Sequence, residues 1–282
     1  LRFTTMPAPS TASAAPAGSG QEVRLFILIP KEYGAWAMLL MPLIMTLGVV
    51  GMGLSGLIYS IAVMGLYLAR YPVELVVRRR TVPGLGRWFF IYVSVTGVLG
   101  LLLLAGYGLW GLLPLTMVAV FVLGLYLRLI RRRAERSAPA ELVLVSGLSL
   151  TAAGAVYVEL GGWTTLALWL WLLAALYSGS SVFFVRMMVR RPPQGGASLS
   201  RRLKLGKGAV FYQVFLWVGV LTMVVTGAVP PLVLVAFIPL LAKVVLGLFA
   251  VGGRPRIRVL GFMELGHTAI FALLMVAAYR WV

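Results

Sequence analysis

LWGLLPLTMVAVFVLGLYLRLIRRRAER spans residues 109–136. From Leu109 to Leu129 the only charge is Arg128. A run of that length is about the 20 residues a helix needs to cross a bilayer. Arg131, Arg132, Arg133 and Arg136 follow at once, and Trp110 stands at the other end. Arginines mark the cytoplasmic end of a span and tryptophans mark an interface. This stretch therefore reads as one transmembrane helix with its arginine end inside.

The same unit recurs in both directions along the chain. Helices are expected near 33–51, 54–76, 88–106, 109–129, 139–158, 163–187, 209–228, 231–250 and 259–280. Odd-to-even turns are short and almost uncharged: Gly51 to Ser55, Gly106 to Leu109, Glu159 to Trp163, and Pro230–Pro231. Even-to-odd loops are basic. They hold Arg78, Arg79, Arg80 and Arg87, then Arg131 to Arg136, then Arg190 to Lys207, then Arg254, Arg256 and Arg258. On this alternation 24 of the 25 Lys and Arg fall on one side, and Arg280 alone lies opposite. The amino terminus is expected inside and the carboxyl terminus outside. Trp163 and Trp281 join Trp110 at the outer ends.

Composition agrees. Of 282 residues, 61% are hydrophobic and 11% are charged, with a net charge of +18. A soluble domain carries roughly 25% charged residues, so lipid must cover much of this surface. The positive charge is read as cytoplasmic loops against an anionic leaflet, not as a nucleic-acid surface. There is no Cys, and all seven acids are Glu. Disulfides, thiolate metal sites and cysteine nucleophiles are thereby excluded. One His and scattered Glu do not make a metal site, and no cofactor is expected. Residues 1–24, rich in Ala, Pro, Ser, Thr and Gly, read as a disordered cytoplasmic tail. Residues 25–282 read as a single all-α polytopic membrane bundle of about nine transmembrane helices. The 32 glycines suggest close helix packing through small residues, as at Gly97 and Gly100.

Ionisable residues at membrane depth are costly and tend to be functional or paired. Lys31, Glu32 and Tyr33 open helix 1; Lys31 could equally snorkel and Glu32 cap the helix. Arg70 and Glu74 are an i,i+4 pair at the end of helix 2. Glu141 opens helix 5, Arg186 lies near the end of helix 6, Gln213 opens helix 7 and Lys243 lies within helix 8. Glu264 and His267 share a face of helix 9. Each has a plain structural reading as an interfacial anchor or ion pair. Their common depth points instead to one cavity open to the cytoplasm, with these eleven residues as its ligand-binding candidates.

Two stretches, IPKEYGAWAMLLMP at 29–42 and LGFMELGHTAIFALLM at 260–275, resemble the YwiC-like family of bacterial membrane proteins. Tyr33 stands where that pattern usually has His. The resemblance implies a bacterial cytoplasmic membrane location and little chemistry. More distantly, the chain is similar to the UbiA superfamily of intramembrane prenyltransferases. That similarity implies nine helices, an amino terminus inside and a cavity near the cytoplasmic face. UbiA proteins bind a magnesium-bridged diphosphate through Asp-rich motifs at the ends of helices 2 and 6. Here those stretches are YLARYPVELVVRRR at 67–80 and FFVRMMVRRPP at 183–193, with no Asp. Arg70, Arg78, Arg186 and Arg190 stand there instead, and Arg binds phosphate without a metal.

The expected function is binding of an isoprenoid, quinone-type or anionic lipid ligand in that cavity, with membrane lipids as partners. Whether a reaction follows stays open; a UbiA-like transferase lacking its Asp motifs is the enzymatic form. A small-solute or proton-coupled transporter and a structural subunit of a membrane complex are the alternatives.

Overall fold

The computed structural model describes residues 33–80, 82–134, 137–191, 198–250 and 255–281. Among them are nine α-helices and no strand: α1 (Tyr33–Val50), α2 (Leu54–Val77), α3 (Leu85–Leu101), α4 (Leu112–Arg131), α5 (Ala138–Leu160), α6 (Thr165–Val189), α7 (Leu199–Val225), α8 (Val233–Phe249) and α9 (Ile257–Arg280). A single π-helical turn, Leu102–Gly106, extends α3. Seven helices are long and apolar enough to span a membrane, and α1 and α8 are shorter apolar helices. The expected tail, with Lys31 and Glu32 after it, lies outside the described residues.

Contacts between helix ends show which ends lie together. The Gly53 amide, ahead of α2, donates to both Glu159 carboxylate oxygens at the end of α5, each at 3.0 Å. The Gly111 amide before α4 donates to Tyr157 Oη of α5 at 2.8 Å. Arg280 Nε closes the last turn of α9 onto the Gly48 carbonyl of α1 at 2.7 Å. At the other end, Arg202 of α7 donates from Nη1 to the Phe249 carbonyl of α8 at 2.8 Å. Short turns on one side and arginine-rich links on the other thus belong to opposite ends of the bundle. The arginine-rich side is the basic end of the bundle.

The helices sort by burial. In α5 and α6, 61% and 56% of the most apolar window is buried; in α3 and α4 the share is 11%. So α5 and α6 form the centre, with α1 against α5 and α9, and α3 and α4 face lipid. The main core joins Met41 and Met45, Val156, Leu170 and Tyr177, Leu216, Phe237 and Leu240, and Phe271 and Met275. A second cluster, around Tyr59, Leu103, Leu112 and Val158, packs α2, α4 and α5. A third, with Phe184, Met187, Ala209, Leu248 and Leu260, packs α6, α7, α8 and α9 at the basic end.

Two expectations need correction. The seventh helix begins at Leu199, ten residues before the expected 209. Its start is capped by Ser198, whose hydroxyl accepts from the Arg201 amide at 3.3 Å. The apolar run marks where a helix enters hydrocarbon, whereas this helix starts outside it on a basic turn. Gly97 and Gly100 do not serve close packing: a methyl at either would meet nothing within 4 Å. They lie on α3, one of the least buried helices. The glycines that do face neighbours include Gly56, Gly111, Gly154 and Gly179.

Candidate functional site

The structure sorts the charged candidates into three separate pairs. In α2, Arg70 Nε lies 3.1 Å from Glu74 Oε1, and both side chains are buried. The Arg70 guanidinium is also 5.0 Å from the Tyr67 ring and 5.7 Å from the Tyr126 ring of α4. These distances suit cation–π attraction. Pro72 falls between the two charged residues. Having no N–H, it leaves the Leu68 carbonyl without its helical donor.

The second pair joins α5 and α6. Ser137 caps α5 by accepting from the Ala140 amide, which sets Glu141 in the first turn. Arg186 lies in the last turn of α6. An acid in a first turn and a base in a last turn each complement the helix dipole. Arg186 Nη1 donates to Glu141 Oε2 at 3.0 Å, half-buried.

The third pair is the most enclosed. Lys243 of α8 donates from Nζ to Glu264 of α9 at 2.9 and 3.1 Å and to Ser181 Oγ of α6 at 3.0 Å. Its side chain is 2% exposed and that of Glu264 9%. Nζ also sits 5.0 Å from the Phe184 ring. Alongside, Tyr177 Oη and Thr268 Oγ1 are 3.1 Å apart, and the Tyr177 ring stacks on Phe271. Charge burial here is matched by an opposite charge and a hydroxyl, as a buried ion requires.

The remaining candidates stand apart. His267 donates from Nδ1 to the Met263 carbonyl one turn back, 2.7 Å away, while Glu264 turns to Lys243. Gln213 Nε2 donates to the Leu240 carbonyl at 2.9 Å, at an apolar groove between α7 and α8. Tyr33 opens α1, and its side chain, like Lys31 and Glu32, lies outside the described residues. A bridged magnesium diphosphate does not fit the ends of α2 and α6. Their only acid, Glu74, is already paired with Arg70.

Three further features were not among the sequence candidates. Ser181 and Thr268 complete the polar cluster, signalled only by their place near Tyr177 and Glu264. The ends of α2 and α4 border an open groove of about 590 Å³ lined by Val77, Gly124, Leu127, Arg128, Arg131 and Arg132. Arg131 and Arg132 were read as loop charge, and Arg128 as the end of the span. Finally, Arg191, just past α6, is only 8% exposed. Burial, and then the neighbouring Arg202 charge, push its pKa below the ordinary arginine value. It remains a cation near neutrality.

The YwiC-like protein family matches residues 29–156, which take in α1 to α4 and most of α5. Uncharacterized protein YwiC of Bacillus subtilis (strain 168) is 30% identical over 169 residues, covering 58% of this chain and 67% of that relative. No solved structure matches. On these matches, and with its apolar helical bundle, the chain belongs to the YwiC-like family.

Proposed function

We propose that this membrane protein binds an anionic amphiphile, a phospholipid or an isoprenoid phosphate, at its basic end. The carrying observation is the groove between α2 and α4. Its apolar wall of Val77, Gly124 and Leu127 suits an alkyl chain, and Arg128, Arg131 and Arg132 suit a phosphate. Arg forks bind phosphate oxygens bidentately without a bridging cation. The expected result is that native mass spectrometry of the detergent-purified protein finds a bound anionic lipid. Substituting Arg128, Arg131 and Arg132 together by Gln should lower its retention about tenfold or more, since each charge-assisted bond contributes roughly 1.5–3 kcal/mol. EDTA should leave retention unchanged. Equal retention by the triple variant would overturn the reading; loss with EDTA would show that a cation bridges the phosphate.

The basic end faces the cytoplasm in this reading, with the amino terminus inside and the carboxyl terminus outside. A carboxyl-terminal alkaline phosphatase fusion in a bacterial host should be active and a fluorescent-protein fusion dark. The reverse pattern would invert the bundle.

A second reading, a proton-coupled or small-solute transporter, is favoured by the enclosed Lys243–Glu264 pair. Intramembrane ion pairs recur on transport paths. Substrate flux in proteoliposomes that Lys243→Met abolishes would move this reading ahead.

A further inference from the structure

We infer that the groove between α7 and α8 is a site for a neutral, single-chain lipid alcohol, whose hydroxyl bridges Gln213 and Trp217. It is separate from the groove between α2 and α4.

The two residues stand four apart on α7 and so share one face of it. The groove measures about 410 Å³, and eight of its ten lining residues are Val or Leu. Gln213 and Trp217 are the other two. Val214, Val218 and Leu241 along it are exposed, so in a bilayer it opens toward acyl chains.

Gln213 is the sharper observation. It is more than nine-tenths buried. Its Nε2 donates to the Leu240 carbonyl at 2.9 Å. That bond fixes the amide, because turning it over would set Oε1 against the carbonyl oxygen. Oε1 is buried and has no hydrogen-bond partner among the described residues. One turn further on, Trp217 Nε1 is also buried and without a partner among them. One face of α7 thus presents an unanswered acceptor beside an unanswered donor. Leaving either unpaired is costly, above all in hydrocarbon, where no water can serve. The last basic residue before them is Lys207. Gln213 lies about 9 Å further along the helix axis, below the charged turn.

The two atoms define the head of the occupant. A hydroxyl donates one hydrogen and accepts another, so a single atom answers both groups. An ether, ester or ketone oxygen would answer Trp217 and leave Gln213 unpaired. A phosphate would need cations, and no Lys or Arg lines the groove. A buried water typically makes about three hydrogen bonds, and beyond these two atoms the walls are Val and Leu. The volume defines the tail. It lies toward the small end of ligand pockets, which suits one chain and not the two of a phospholipid or diacylglycerol.

The test uses the full chain in phosphatidylcholine nanodiscs doped with geranylgeraniol, with its methyl ether or with dioleoylglycerol. Unfolding temperature is followed against mole fraction. Geranylgeraniol should raise it saturably. The methyl ether cannot donate to Gln213 and should need about fivefold more or beyond. Trp217→Phe keeps an aromatic ring but loses the N–H, and should raise the half-saturating fraction of geranylgeraniol about fivefold or more. No rise with geranylgeraniol, an equal response to the ether, or unchanged half-saturation in Trp217→Phe overturns the site. An equal response to dioleoylglycerol overturns the single-chain assignment. If Trp217→Phe does not fold, a diazirine-bearing analogue of geranylgeraniol decides the matter on the unaltered protein. Its label should fall on residues 210–221 or 241–248 and be displaced by geranylgeraniol better than by the ether. Label spread over the lipid-facing helices α3 and α4 would sink the inference. Arg128, Arg131 and Arg132 are untouched throughout, so failure here leaves the reading of the α2–α4 groove standing.

Discussion

The Glu264→Ala protein is expected to lose on the order of 3–5 kcal/mol of stability, lowering its unfolding temperature by roughly 10 °C. The loss comes from what stays behind. Lys243 Nζ would keep Ser181 and the Phe184 and Tyr177 rings around it, with no described anion in reach. Water cannot replace the carboxylate at a position 2% exposed without opening the packing of α6, α8 and α9. Lys243→Met should be costly for the mirror reason, leaving the Glu264 carboxylate unpaired. The informative comparison is the double variant Lys243→Met with Glu264→Leu. Both ions leave and the volume is filled by apolar atoms, so most of the lost stability should return. Thermal unfolding of the detergent-purified proteins measures all three. If the double variant is as unstable as the sum of the singles, the two residues are not coupled and the pair does not hold these helices.

This pair shows where reading the chain stops. Nine helices were legible because a bilayer demands about 20 apolar residues per span and loop charge alternates independently of hydropathy. The Arg70–Glu74 pair was legible too, because one helix fixes the geometry of residues four apart. Lys243 and Glu264 were each visible as charges out of place, but their partnership was not. They are 21 residues apart on antiparallel helices, and nothing in spacing tells which faces meet. The same limit hid Arg191, which looked like one arginine among several in a loop. The early start of α7 had a signal, Ser198 ahead of a basic helical turn, but hydropathy does not register a helix outside the membrane.

Glycine is the other case in which facing, not composition, decides, and it yields the second large effect. Gly154→Val is expected to destabilise the bundle by about 1–3 kcal/mol or more, as overpacking of a filled interior does. Gly154 lies on α5 at the contact with α2. A methyl there would fall on the Tyr59 hydroxyl, within 2.6 Å of Tyr59 Cζ and 2.8 Å of Leu115 Cδ2. Tyr59 cannot simply swing away. Its ring is buried among Leu43, Leu103, Leu112 and Ala155, and its hydroxyl reaches the Thr151 carbonyl at 3.4 Å. Leu115 would have to yield at the same time, prying α4 from α5. Gly100→Ala is the control, since it adds the same methyl in α3 where nothing lies within 4 Å. That change should be neutral or stabilising by about 0.5–1 kcal/mol, because alanine loses less entropy than glycine on entering a helix. Unfolding temperatures of Gly154→Ala, Gly154→Val and Gly100→Ala in one detergent decide the matter. Equal stability for Gly154→Val and the wild type would mean that α2, α4 and α5 do not meet in this register, and the second apolar cluster would have to be redrawn.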